Sequence, residues 1–268
     1  MIRKCYPNGK KKAFVLTYDD GVLQDVRLVL LLNRYGLKGT FNLNSVLMER
    51  EFAWHHEQVG SVRRLPLSVA AHLYEGHEVA SHSCTHPDLQ GMDREGLMYE
   101  LGHDKYLLEQ LVNRPVLGFG VPFDYYDDVV ADCARQLGFR YARGSEETRS
   151  YAPNADAFHQ NAGMFHLSAG LDGFVEGFLR TDEELASCII VGHSYDLDAE
   201  QLWDTMEALF AKVRDNENVL SMTHLEYVEY LQAMEQAEIS GKNIINHSDR
   251  SLWFEIDGDI CEVAPNRG

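Results

Sequence analysis

A single parallel α/β barrel is the fold class that the sequence predicts, on three observations. The chain has 268 residues with 45% hydrophobic content, enough for one sizeable core without a second domain. Short apolar runs alternate with longer amphipathic ones, the pattern of repeated β-α units around a parallel sheet. Polar clusters, Asp19-Asp20-Gly21, His82 through His86 and His193-Ser194, each follow a short apolar run, where the C-terminal ends of parallel strands converge on one face.

The elements follow in order. Ala13-Phe-Val-Leu-Thr-Tyr18 is the first strand candidate. Residues 24 to 35 carry apolar side chains at helical spacing and stop at Gly36, whose easy left-handed conformation ends helices. A strand is expected over 39 to 43, a helix over 68 to 74 closed by Gly76, and a third strand over 77 to 81. Further helices are expected at 93 to 113, 127 to 137, 199 to 214 and 223 to 238, with strands near 116 to 119, 139 to 142 and 188 to 192. At the end, 251 to 256 and 260 to 263 flank Asp257-Gly258-Asp259, a hairpin signal. Residues 1–240 are therefore expected to form the barrel, and 241–268 a C-terminal β-hairpin extension packed on the same domain.

Composition narrows the function. Lys and Arg total 24 against 42 Asp and Glu, a net charge of −18 that repels phosphate backbones and anionic membrane surfaces, so no nucleic-acid or membrane partner is expected. The five cysteines are scattered with no CxxC pair, which suits a reducing compartment. The basic N-terminus leads into no long apolar stretch, and a cytoplasmic location is expected unless a leader has been removed. Nothing demands an oligomer.

The three polar clusters carry the chemistry. A metal hydrolase needs a hard anionic ligand, neutral nitrogen ligands, an open position, and separate groups to move protons. Asp20, His82 and His86 supply the ligands, the two histidines being four apart, a spacing that would align them on one side of a helical turn. Asp19, beside a ligand but on another face of the chain, can accept a proton from the attacking water, and His193 can donate one to the leaving group. The donor set favours one divalent ion, Zn2+ first, with Co2+, Ni2+ or Mn2+ also suited.

With these residues in view, Thr17-Tyr-Asp-Asp-Gly21 and His82-Ser-Cys-Thr-His86 resemble the first two motifs of the polysaccharide deacetylase family, also called the NodB-homology or carbohydrate esterase family 4 type. The third motif, Arg-x-Pro-Tyr or Phe, is matched by Gly120-Val-Pro-Phe123, and the last by Ile189-Ile-Val-Gly-His193. The resemblance implies a distorted (β/α) barrel with fewer than eight complete units, a metal on Asp20, His82 and His86, Asp19 as base, His193 as acid, and a backbone N–H of Phe123 at the oxyanion. It implies removal of N-acetyl groups from a carbohydrate. A small non-sugar linear or cyclic amide, acted on by the same site, is the alternative substrate, and a non-catalytic carbohydrate-binding protein is the alternative from another class.

One departure stands out. The family's Arg position is Gly120, so Asp19 lacks its usual cationic neighbour; Arg143, just beyond the strand expected at 139 to 142, is expected to reach it from the next unit. Asp196 and Asp182 are the candidates to orient His193. Pro122, Phe123 and Tyr125 after the third motif, and Trp54 in a stretch expected to be a loop, are candidate substrate-binding residues. Cys84 between the two ligand histidines is read as an inert, buried thiol.

Overall fold

The computed structural model describes residues 1–124 and 127–266. In chain order its elements are β1 (Ile2–Cys5), β2 (Lys12–Asp19), α1 (Asp25–Tyr35), β3 (Thr40–Leu43), α2 (Ser45–Glu49), β4 (Ala53–His56), β5 (Gly60–Arg63) and α3 (Leu67–Leu73). Next come β6 (Glu78–Ser81), α4 (Arg94–Val112), β7 (Gly118–Gly120), α5 (Asp128–Gln136), β8 (Tyr141–Glu147), β9 (Gln160–Ala162), β10 (Met164–Phe165), α6 (Leu171–Arg180) and β11 (Ala186–His193). The chain ends with α7 (Ser194–Ala199), α8 (Trp203–Arg214), β12 (Val219–Met222), α9 (His224–Glu235), β13 (Ala237–Ser240), β14 (Asn243–Asn246), β15 (Leu252–Ile256) and β16 (Asp259–Val263).

Strands run in the spatial order β10-β11-β2-β3-β6-β7-β8-β9, with β12 added beside the first half of β2. Every one of these pairings is parallel. Only Gly163 separates β9 from β10, so the two ends of the path meet and the sheet wraps into a nearly closed barrel. A Cβ at Gly163 would stand 2.9 Å from the carbonyl oxygen of Ile189, and glycine lets the closing strand approach that closely. β2 is buried throughout and β11 up to its last residue, as parallel strands covered on both faces must be.

Two apolar layers hold the barrel. Leu28, Leu32, Leu101, Leu108, Val130, Phe178 and Phe210 pack helices α1, α4, α5, α6 and α8 on the sheet, and Tyr6, Val15, Ile189, Tyr227, Leu231 and Phe254 join α9 and the C-terminal strands to it. The expected hairpin forms as β15 and β16, turning at Asp257 (φ 53°) and Gly258 (φ 102°), the paired left-handed residues that suit a tight hairpin. β1 adds a third antiparallel strand to it.

Several elements differ from the sequence reading. The helix expected over 199 to 214 begins only at Trp203, because Gln201 takes a left-handed φ of 55° that a right-handed helix cannot continue, and Ala199 closes the preceding α7. The one expected over 223 to 238 stops at Glu235, and the following residues pair with Asn243–Asn246 as a hairpin. The stretch around Trp54 is no plain loop but the hairpin β4-β5, reversed near Gly60 (φ 79°).

Candidate active site

Sheet register sets the centre of the site. Asp19, the last residue of β2, lies opposite His193 at the end of β11 and opposite Asn42 on β3. All three therefore stand at one level on the C-terminal face of the barrel. Directly after Asp19 the chain turns sharply: Asp20 has φ 86° and Gly21 φ 60°. A left-handed aspartate is costly unless its surroundings hold it. Here its N–H donates to Asn42 O at 3.0 Å, and its carbonyl and carboxylate both accept from Arg64.

His82 follows β6 and is tied back by its N–H to Leu43 O at 2.8 Å. The segment from His82 to His86 is not helical: Ser83 (φ 65°) and His86 (φ 54°) are left-handed, so the two imidazoles meet through a tight loop and not through a shared helix face. Their ring centres are 4.8 Å apart. Asn44 pins this loop by donating to the carbonyls of His82 and Ser83, and Glu100 of α4 accepts from the N–H and hydroxyl of Thr85. Cys84, inside the loop, is buried, and burial raises its thiol well above the usual range.

Asp20, His82 and His86 offer one ligand atom each, all within 4.8 Å of one another. The imidazole Nδ1 of His82 lies 2.7 Å from Gly120 O, which can only accept, so Nδ1 carries the hydrogen and Nε2 keeps a free lone pair. Burial lowers the pKa of His82 to about 4 and also lowers that of His86, leaving both neutral at pH 7. Burial opposes the charge of Asp20, but Arg64 and then the neighbouring histidines overcome it and hold the carboxyl well below its ordinary range. One anionic oxygen and two neutral nitrogens are the donors that a divalent ion such as zinc takes.

Asp19 is buried, and its Oδ1 accepts from Asn42 Nδ2 at 2.7 Å and from the guanidinium of Arg143. Arg143 lies on β8 in register with Gly120 on β7, so the cation beside Asp19 comes from the strand next to the one where the family places it. The burial penalty on Asp19 is outweighed first by Arg143 and then by His82 and His193, and its carboxyl lies below the usual range.

His193 is held from behind. Asp196, on the first turn of α7, accepts from His193 Nδ1 at 3.1 Å and from His166 Nε2 at 3.1 Å, and His166 Nδ1 in turn accepts from the Tyr18 hydroxyl at 2.9 Å. Asp182, the other sequence candidate, is placed instead beside Lys12 at the opposite end of β2. Burial works against a charged His193, yet the Asp196 hydrogen bond, followed by Asp20 and Asp19, raises its pKa to about 9. It carries a proton at neutral pH.

Sequence reasoning missed Asn42, Arg64 and His166. For Asn42 a signal existed, a polar residue inside an expected buried strand. For His166 it lay in Gly192, where a Cβ would stand 2.5 Å from the imidazole ring; without the fold that proximity is invisible.

A cavity of about 260 Å³ opens on these groups, walled by Val121, Phe123, Ser145, Phe165, Val191 and Tyr195. Phe123 is strongly exposed and its ring meets His86 at 4.5 Å. Pro122 is buried and does not line the cavity. Trp54 does not line the cavity: it stands behind Tyr195, 5.5 Å between ring centres, and Tyr195 stacks on His193 at 5.0 Å. Tyr125 falls outside the described residues.

The polysaccharide deacetylase family model matches residues 6–142, just over half of the sequence. The chain belongs to that family. It is 25% identical over 154 residues to a chitin deacetylase of Arthroderma benhamiae, a match covering 56% of this chain and 38% of the relative. It is 26% identical over 136 residues to a peptidoglycan-N-acetylglucosamine deacetylase of Bacillus cereus, covering 50% of this chain and 56% of the relative. The matches thus span roughly half or less of those two proteins. Among solved structures, a CE4 family pseudoenzyme from Bacillus anthracis aligns with a TM-score of 0.56 at 16% identity, over 84% of this chain and 68% of that one, a likeness of fold. Against the family's third motif, the cation stands one strand over, at Arg143 opposite Gly120.

Proposed function

We propose that this chain is a divalent-metal-dependent hydrolase that removes N-acetyl groups from a carbohydrate. The observation that carries the reading is the pairing across one strand register of an ionised carboxylate, Asp19, and a proton-bearing imidazole, His193, on the rim of the Asp20, His82 and His86 cluster.

Asp20, His82 and His86 would hold the ion, which when bound would supply Lewis acidity toward the substrate carbonyl and the attacking water. Asp19, kept ionised by Arg143 and steadied by Asn42, takes the proton from that water. The backbone N–H of Phe123 is the donor that the family motif suggests for the developing oxyanion. His193, aimed by Asp196, gives its proton to the departing nitrogen, which leaves as an amine. Acetate and a free amine are the products.

A second reading keeps the same residues and takes a small linear or cyclic amide, which a cavity of about 260 Å³ would hold. Metal-loaded protein should release acetate from N-acetylglucosamine oligomers; ammonia from small amides with no acetate from sugars would transfer the assignment to the second reading. Sugar binding with no release of either product would leave a binding protein.

A further inference from the structure

Arg64 is a buried cation with no part in the family motifs, and it sits on a metal ligand. It follows β5 directly, and its Nη1 donates to the Asp20 carbonyl and, at 2.8 Å, to Asp20 Oδ1. That same oxygen lies 3.8 Å from Nε2 of His86. Only 4% of Arg64 is exposed, its face stacks on Trp54 at 5.0 Å, and among the described residues Asp20 is its sole carboxylate partner. The hairpin is fastened to the turn after Asp20, with Leu23 N donating to Arg63 O at 3.0 Å and Leu65 N to Gly21 O at 2.8 Å. These bonds hold the main chain on either side of Arg64 against the turn that carries Asp20.

We propose that Arg64 is a positioning residue that limits how tightly the metal is held, an inference that rests on the metal site of the function proposed above. Two effects of opposite sign act through it. As a hydrogen-bond donor it fixes the left-handed Asp20, and loss of such outer partners commonly weakens metal binding by roughly 10–100-fold. As a cation it withdraws charge from the one anionic ligand, Asp20, and would repel a dication bound through that same carboxylate. In a buried site that repulsion between like charges outweighs the gain from one orienting hydrogen bond. The charge effect decides the sign: the ion is held loosely, by a carboxylate already shared with Arg64.

The test measures Zn2+ and Co2+ dissociation constants by chelator competition on the full chain, with the visible spectrum of the Co2+ form as a second readout. Arg64→Gln keeps a donor for the Asp20 carbonyl without the charge, Arg64→Met removes both, and Arg64→Lys keeps the charge; thermal melts show which variants fold. Tightening by tenfold or more in Arg64→Gln or Arg64→Met, a shifted Co2+ spectrum, and near wild-type affinity in Arg64→Lys are expected. Unchanged or weaker binding in the folded neutral variants overturns the inference, as does equal tightening in Arg64→Lys. A wild-type chain that binds neither ion would instead overturn the proposed function, so the two failures are distinguishable.

Discussion

The guanidinium of Arg143 occupies the room that a side chain at Gly120 would need: a Cβ built there would stand 2.9 Å from Arg143 Nη2 and 2.8 Å from Asn42 Cγ. The two positions are register partners on neighbouring strands, so the cation beside Asp19 has one seat and two strands from which to fill it. Arg143 with glycine opposite is one solution. Arginine on the other strand is the family's.

Removing the cation should uncover the buried charge. Arg143→Met leaves Asp19 without its ion-pair partner, and breaking a buried pair costs about 3–5 kcal/mol. Because the folded-state pKa of Asp19 is depressed, its stabilising contribution is present above the unfolded carboxylate pKa and lost as pH falls through the lower folded value. Urea melts should therefore show wild type and variant far apart at pH 7 and converging in acid. A constant gap from pH 7 down to pH 3 would argue against Asp19 as the group concerned.

Gly120→Arg alone should fail, since two guanidinium groups cannot share the seat. We expect lost turnover and a destabilisation of about 1–3 kcal/mol from overpacking, with recovery in the double change Gly120→Arg, Arg143→Ala. A thermodynamic cycle on the four proteins measures the coupling, and additive effects would refute the shared seat.

His193 should set the alkaline limb of activity. An acid is active while protonated, and Asp196 raises His193 above the ordinary imidazole value, so turnover should fall along an alkaline limb that lies above that value. Asp196→Asn removes the hydrogen bond that raises His193 most, and the limb should move to lower pH. The profile of kcat/KM against pH reads this directly; an unmoved limb assigns it to another group.

Ligand and base are separable by metal content. Asp20→Ala and His82→Ala should lose the ion in elemental analysis, whereas Asp19→Asn should keep it and lose roughly 10²–10⁴-fold in turnover. Asp19→Asn with full activity would remove Asp19 from the base role.

Gly192→Ala should act through a residue that never touches the cavity. The added methyl meets His166 at 2.5 Å and pushes on the Tyr18–His166–Asp196 chain behind His193. A loss of about 1–3 kcal/mol is expected, together with a lower kcat at unchanged KM. A drop in stability with kcat intact would make the His166 chain purely structural.

The barrel was legible because its strands are the apolar runs and its chemistry sits just after them. Asp19, Asp20 and His193 could be placed at strand ends from sequence alone. The helical argument for His82 and His86 named two side chains that do meet, but by the wrong geometry, since the spacing does not reveal that Ser83 and His86 are left-handed. What stayed hidden depends on contacts distant in sequence. Arg64 lies 44 residues from Asp20, and His166 lies 148 from Tyr18. The short strands β9 and β10, of three and two residues, carry too little pattern to be read without the sheet they close.

The hairpin β4-β5 ends on the residue that grips Asp20, and it carries the tryptophan that backs Tyr195. One short hairpin thus reaches both the turn that carries Asp20 and the aromatic wall beside His193, so a change in its length would be felt at both, whereas Asp19 and His193 answer only to the spacing of adjacent strands.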